Sequence, residues 1–389
     1  MPDLSLTSEQ ELLKSTAREF VERECSLATV RQIQEEEGGF SRELWRKIAG
    51  LGWAGILIPP AHGGEGGTLT DAAVLYEEMG RGLLPSPHHS SAVLGALILL
   101  RGGAGEQKER LLPAVARGEL ILALACTEAG YGWGPEHVRL TATPIAGGAF
   151  VLDGTKQFVP DAGIAGQLIC VARTASSADA ARTASSGDEQ EGLTLFLVAR
   201  DAAGVQLRPM TGFVGEPLYE VIFSGVEVSP DGIIGEVHRG WEVLAPALDS
   251  ATALICAYIA GASRKVYERS LAYAQGRVQF GQPIARFQRV QDHLIDMVNN
   301  ADGARWTAYE AVWKLENGKP GAEEAVSVAK VVASEGFYQL CESSHHLHAG
   351  IGSDEAYGLY LYTKASRSLY HYLGDPAFHR RRLARLLQL

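Results

Sequence analysis

Cysteine is scarce and odd in number: five residues, Cys25, Cys126, Cys170, Cys256 and Cys341, with the nearest pair, Cys126 and Cys170, 44 positions apart. That excludes a disulfide framework and a CxxC metal motif, and reduced thiols suit an intracellular chain. Basic residues are also short. Lys plus Arg is 35 against 46 Asp plus Glu, a net charge of −11, which excludes a broad nucleic-acid-binding surface but leaves room for a local cationic pocket. No apolar run is long enough to span a bilayer, and the opening Met-Pro-Asp-Leu-Ser-Leu-Thr-Ser-Glu-Gln-Glu is acidic where a targeting peptide would be basic, so a cytoplasmic address is expected. Aromatics are only 8% of the 389 residues, yet 46% are apolar, enough to bury a core in two or three packed units.

What is present divides into three stretches. Ser8 with Glu11 reads as a capping box, and Leu12, Leu13, Ala17, Phe20 and Val21 recur at helical spacing. Helical patterns continue over 42–51, 69–81, 90–100 and 107–117, broken by the glycine-rich 62–67 and by Pro85 and Pro87. From about Leu122 the period changes to short β-branched or aromatic runs at 149–152, 167–173, 193–200, 205–209 and 218–224, with Asp153-Gly154 read as a hairpin turn. No helical pattern lies between these runs, which predicts an antiparallel barrel or sandwich and disfavours a Rossmann domain. Ala-Arg-Thr-Ala-Ser-Ser occurs twice, at Ala172 to Ser177 and Ala181 to Ser186, and the surrounding Thr174 to Gly192 reads as a local duplication, expected as a solvated loop without function. After Gly240 long helical patterns return, uncharged from Ala251 to Ala262, then 287–316, 322–346 and 357–372. The expectation is an α+β chain: a helical domain over 1–121, a β domain over 122–233 and a four-helix bundle over 234–389.

One string is specific. Arg277-Val-Gln-Phe-Gly-Gln-Pro-Ile-Ala-Arg-Phe-Gln carries every fixed letter of R-x-x-F-G-x-P-I/L-x-x-F-Q, in Arg277, Phe280, Gly281, Pro283, Ile284, Phe287 and Gln288. In this the chain resembles the acyl-CoA dehydrogenase family. Gly281 and Pro283 would break one helix and start the next, holding a cation and an aromatic edge at a helix end; a plain helix-turn-helix connection would use the same letters. The resemblance implies FAD, with Arg277, Phe280 and Gln288 meeting the cofactor of a neighbouring subunit.

Further matches extend the resemblance to nearly the whole chain. His346-Leu-His-Ala-Gly-Ile-Gly-Ser is similar to the family's Q-x-x-G-G-x-G turn, with His346 for Gln, Ala349 for the first Gly, and Gly350 and Gly352 kept, where backbone would approach the adenosine half. Ala125-Cys-Thr-Glu-Ala-Gly resembles the T-E-P loop beside the flavin, which implies Thr127 as a flavin contact; Glu128 is kept, and Tyr131 to Glu136 replace the Gly-Ser-Asp portion. Asp153-Gly-Thr-Lys-Gln-Phe-Val-Pro resembles the G-x-K-x-W-I-T strand, which implies Phe158 against the flavin and Pro160 in place of a hydroxyl. Phe158 reads equally as a core aromatic. His345, His346 and His348 lie on diverging faces and read as helix-end residues rather than a metal site.

The family reaction needs one carboxylate to take the α-proton of an acyl-CoA thioester. The usual Glu before a Gly is replaced by Leu373, and the alternative place, 26 residues before Arg277, holds Ala251. Asp249 is rotated from that place by about 200°, and Asp375 is the weak remaining candidate. The 373–382 segment resembles the steroid and bulky side-chain branch, whose α2β2 enzymes include subunits without the base. The resemblance therefore implies an FAD-dependent oxidoreductase subunit of fatty acid or steroid β-oxidation, completed by a paralogous partner in a dimer or tetramer. Flavin or thioester chemistry without α-proton abstraction, or a non-enzymatic partner without flavin, are the alternatives. The basic run His379, Arg380, Arg381, Arg382 and Arg385 reads as compensation of a helix dipole rather than a CoA phosphate site. Small residues at Ala251, Ala253, Ala257 and Gly261 suit either a wide acyl pocket or tight helix packing.

Overall fold

Thr7, not Ser8, caps the first helix: Gln10 N donates to Thr7 Oγ1 at 3.2 Å, and Thr7 N to Gln10 Oε1 at 3.0 Å. The local string satisfies the reciprocal capping pattern in two registers. The earlier one places both Glu9 and Glu11 in the first turn, against the positive end of the helix dipole. The computed structural model describes residues 5–35, 39–174, 192–210 and 217–389; of the duplicated segment only Ala172 to Thr174 and Gly192 are described, and the expected loop over 175–191 lies outside the described residues.

Helices α1 (Ser8–Glu24), α2 (Leu27–Glu35), α3 (Arg42–Gly50), α4 (Leu69–Arg81), α5 (Ala96–Gly102) and α6 (Gly105–Ala116) come first. Strands β1 (Leu122–Ala125), β2 (Thr141–Pro144), β3 (Phe150–Pro160), β4 (Gln167–Arg173), β5 (Leu193–Ala199), β6 (Val205–Met210), β7 (Leu218–Val228) and β8 (Ile233–Ile234) follow. Then come α7 (Gly240–Gly276), a small hairpin of β9 (Val278–Gln279) and β10 (Gln282–Pro283), α8 (Gln288–Glu316), α9 (Ala322–His348), α10 (Leu359–His371) and α11 (Pro376–Leu386). These group into two compact units, one of residues up to Ile33, Thr68–Pro85 and Asp249–Leu389, the other of Gln34–Gly67 and Ser86–Leu248.

In the first, helical unit, α1 packs on α4, α4 on α8, and α9 on α8, α10 and α11. The α7 segment is buried from Ala251 to Ala257 and again from Ile259 to Ser263. A Cβ on Gly261 would stand 1.7 Å from the Glu77 carbonyl oxygen, and one on Gly80 would stand 1.9 Å from that of Tyr258. The backbones of α4 and α7 therefore cross in direct contact, so Gly261 serves helix packing rather than pocket width. Helix α7 is also long and apolar enough to cross a membrane, contrary to the expectation from the sequence; 78% of its apolar window is buried within the protein, which is what uses that surface.

In the second, sheet unit, the strand order is β6-β7-β3-β2-β4-β5-β8, with β1 also on β4. Most pairs are antiparallel as expected, but β1 joins β4 in parallel and Thr141 bridges Arg173 in parallel, making the sheet mixed. The hairpin expected at Asp153-Gly154 is absent, because β3 runs on from Phe150 to Pro160 and shifts register against β7 between Leu152 and Gly154. Gly154, at φ +143°, absorbs a bulge instead of a turn. The helix expected over 90–100 also differs: His88–Gly95 winds as a π-helix before α5 begins. The wider winding lets His88 Nε2 reach Trp53 O at 2.9 Å while Ser91 Oγ accepts from Leu122 N, the start of β1, at 3.0 Å.

Candidate functional site

In the sheet unit, β1 ends at Ala125 and delivers Cys126, Thr127 and Glu128 beside β3. Thr127 is buried; its hydroxyl donates to Gln157 O at 2.6 Å, and Gln157 N donates to Thr127 O at 2.9 Å. With its proton committed, the Thr127 hydroxyl is left to a neighbour only as an acceptor. Glu128 and Lys156 hold this junction together. The fully buried Lys156 Nζ donates to Glu128 Oε1 at 2.7 Å and to Cys126 O at 3.0 Å, while the same Glu128 oxygen accepts from Arg139 N and Leu140 N at 2.9 and 3.0 Å. The ion pair of Glu128 with Lys156, the Lys of the G-x-K strand, is not readable from the sequence, which gives no sign that β3 brings the two together.

Phe158 sits in a second β3 bulge, where register against β7 shifts between Lys156 and Val159. Its φ of +56° is unusual for an aromatic residue and turns it out of the strand alternation. The ring meets Tyr131 edge-on at 4.8 Å, and Tyr131 meets the buried Trp133 at 6.2 Å. Phe158 is only partly buried, so it is a wall residue rather than a core aromatic. The loop that departs from the family's Gly-Ser-Asp is thus filled by an aromatic stack. Among the described residues, Phe158 N donates to the soft Met210 Sδ, at 3.4 Å. Nearby, Asp161 at φ +59° accepts from Ser90 Oγ, and desolvation pushes its carboxyl up to about 6.

In the helical unit, α7 ends at Gly276 and Arg277 begins a tight hairpin whose turn is Phe280-Gly281, at φ +51° and +79°. Two successive left-handed residues give the twist that a two-residue hairpin requires. Phe280 is 93% exposed, touching Phe287 edge-on at 6.1 Å, and the exposed Arg277 forms no ion pair among the described residues. Gln288 is exposed at the first position of α8. At the end of α9, His346 is exposed against His293, whereas His345 reaches Thr363 Oγ1 and the buried His348 gives Nδ1 to Ser344 O, so the three histidines diverge. Beyond them Ala349 is held at φ +52°, ψ −139°, and no atom lies within 4 Å of where a Gly350 Cβ would be.

The two base positions hold aliphatic residues, the buried Leu373 and the fully buried Ala251. Asp375, the remaining candidate, caps α11 by accepting from Phe378 N at 2.7 Å. Asp249 is paired with Arg382 at 2.7 Å. Three residues of the basic run have partners within the helical unit rather than at a helix end alone: Arg382 also meets Glu323 at 3.2 Å, Arg380 meets Glu335 at 2.6 Å, and His379 is buried on Leu373 O. Burial pushes His379 down to about 3. All five thiols are buried and free, Cys126 pushed up to about 11 and the others to about 12.

These residues fit a flavin dinucleotide. An unpaired guanidinium suits a pyrophosphate, the space over Gly350 suits close approach of a ligand, and Phe158 N, donating to a soft sulfur, is a backbone donor available to a ring heteroatom. The domain models described as acyl-CoA dehydrogenase N-terminal, middle and C-terminal domains match residues 7–119, 123–226 and 238–388. The 3-(aryl)acrylate reductase of Clostridium sporogenes is 30% identical, covering 89% of this chain and 89% of its own length. Among solved structures, PigA with FAD and proline superposes with a TM-score of 0.90 at 25% identity, covering both chains fully. The ChsE4-ChsE5 complex of Mycobacterium tuberculosis gives 0.88 at 25% identity, covering 100% of this chain and 99% of that one.

Proposed function

Because the chain belongs to the acyl-CoA dehydrogenase family, we propose that it is an FAD-dependent subunit acting on a bulky acyl-CoA thioester, with the proton acceptor supplied by a paralogous partner subunit. The observation that carries this reading is the state of its carboxylates. Leu373 and Ala251 occupy both base positions, and the nearest acids, Asp375 and Asp249, are engaged by Phe378 N and Arg382.

When bound, FAD would accept the hydride released from the substrate β-carbon. The chain's own part is to bind and orient. Phe158 N donates toward the isoalloxazine, the Thr127 hydroxyl accepts, and the Phe158 ring stands as a wall supported by Tyr131. From the helical unit, Arg277 neutralises the pyrophosphate of FAD in a neighbouring subunit and Phe280 covers it. Gln288, His346 and the open backbone at Gly350 complete that edge. The ChsE4-ChsE5 complex supports assembly with a partner chain, and the buried free thiols support a cytoplasmic address. Tyr131 and Trp133, in place of smaller residues, support an acyl group met by aromatic surface rather than by hydroxyl contacts.

The test is expression of the chain alone and with a neighbouring paralogue. The pair is expected to be yellow and to form enoyl product from acyl-CoA, while the chain alone forms none even after FAD is added. Enoyl formation by the isolated chain would overturn the shared-site reading.

A further inference from the structure

Within the helical unit, residues of α1, α4, α7 and α10 line a half-open cavity of about 380 Å³ to which none of the flavin or thioester residues contributes. Four cations line it, Arg18, Arg81, Lys265 and Arg269, against two lining carboxylates, Glu22 and Glu78, and with Glu268, which pairs with Arg81 from just outside the lining, the local surplus is one positive charge in a chain of net charge −11. The fully buried Glu78 is already matched. Arg18 grips it with two bonds of 2.7 and 2.9 Å, and Arg81 approaches it at 3.6 Å while binding Glu268 at 2.6 Å.

Arg269 and Lys265 are different. Neither forms an ion pair among the described residues, although Lys265 acts through space on Glu268. Arg269 is oriented without a carboxylate: its Nη2 donates to Tyr357 O at 2.8 Å and its guanidinium lies 4.7 Å from the Tyr357 ring centre. A guanidinium fixed in this way keeps its other N–H groups for a ligand and loses little freedom on binding one. Concave, low-dielectric walls concentrate the positive field in such a cavity. Val21 and Tyr362 add apolar surface, so the cavity offers a charged end and an apolar end.

We propose that this cavity is an anion-binding site, separate from the flavin residues, that takes a small organic oxyanion. Its phosphate or carboxylate oxygens bind Arg269 and Lys265, and its body lies against Val21 and Tyr362. Glu22 stands at the exposed rim and sets an upper limit on the charge the site accepts.

The experiment titrates the full chain, saturated with FAD so that the dinucleotide residues are occupied, with inorganic phosphate in one arm and succinate in the other, at constant ionic strength, by calorimetry. At least one anion is expected to bind saturably; phosphate alone identifies a phosphate ester, succinate alone a carboxylate. Arg269→Gln and Lys265→Gln are each expected to weaken that binding about tenfold, roughly one charge-assisted contact, and Glu22→Gln to tighten it several-fold. Circular dichroism of the unliganded variants checks folding, and Lys265→Gln, which removes no hydrogen bond among the described residues, and Glu22→Gln, at an exposed position, carry the test if Arg269→Gln does not fold. Absence of saturable binding by either anion, or binding unchanged by Lys265→Gln and Glu22→Gln, would overturn the proposal.

Discussion

Asp375 shows how one residue's local duty bears on function. It stands two positions beyond Leu373, but its carboxylate accepts from Phe378 N and starts α11. Asn caps helices about as well as Asp, whereas Ala does not, and loss of such a cap costs about 1 kcal/mol. Asp375→Asn is therefore expected to leave both the denaturation midpoint and the turnover of the paired enzyme unchanged, while Asp375→Ala lowers the midpoint by that amount. A collapse of turnover in Asp375→Asn would instead make this carboxyl the base. The break between α7 and α8 at Gly281 and Pro283 was legible in the sequence because its motif is contiguous and its turn chemistry local. Lys156 and Arg382 were not, because their partners lie 28 and 133 residues away and become neighbours only through strand pairing and helix packing.

Elements show the same division between local and distant causes. Periodic helices such as α1 were legible because their buried stripe, here Ala17, Phe20 and Val21, is written at helical spacing. Asp153-Gly154 carries a genuine turn signal, but Val151 and Leu152 already pair with β7 and Thr155 continues that ladder, so tertiary pairing converts the turn into a bulge. The π-helix at His88–Gly95 answers to Trp53 and Leu122, neither of which local periodicity can register. At the end of α9, Ala349 takes the place of a glycine without giving up its geometry, and at φ +52°, ψ −139° its methyl group is strained. Such a conformation costs about 1–3 kcal/mol outside glycine, against about 0.5–1 kcal/mol of extra chain entropy for glycine. Ala349→Gly should raise stability by about 1 kcal/mol, read as a shift of the urea midpoint at unchanged slope.

Across the whole molecule, buried histidines set the response to acid. Burial pushes His88 down to about 4 and His379 to about 3, and His345 and His348 are also lowered, chiefly by desolvation. A base whose folded pKa is depressed gives full stability above its unfolded value, about 6.5, and loses it as the pH falls below that. Asp161 acts in the opposite sense: raised to about 6, it is protonated in the folded state before the unfolded state, and so offsets His88 within the sheet unit. The helical unit has no such offset for His379. It is expected to lose about 2 kcal/mol between pH 6.5 and pH 5 from that group alone. Hydrogen exchange should therefore show α9 to α11 losing protection before β3 to β5 as the pH is lowered; the reverse order would refute the assignment.

The buried thiols bear on how the protein withstands its own redox chemistry. A reduced flavin exposed to air generates peroxide, and peroxide attacks sulfur as the thiolate. Burial pushes every thiol up, but Cys25 also lines the cavity beside Arg18 and Arg269, so during aerobic turnover such an oxidant should reach Cys25 before Cys126, Cys170, Cys256 or Cys341.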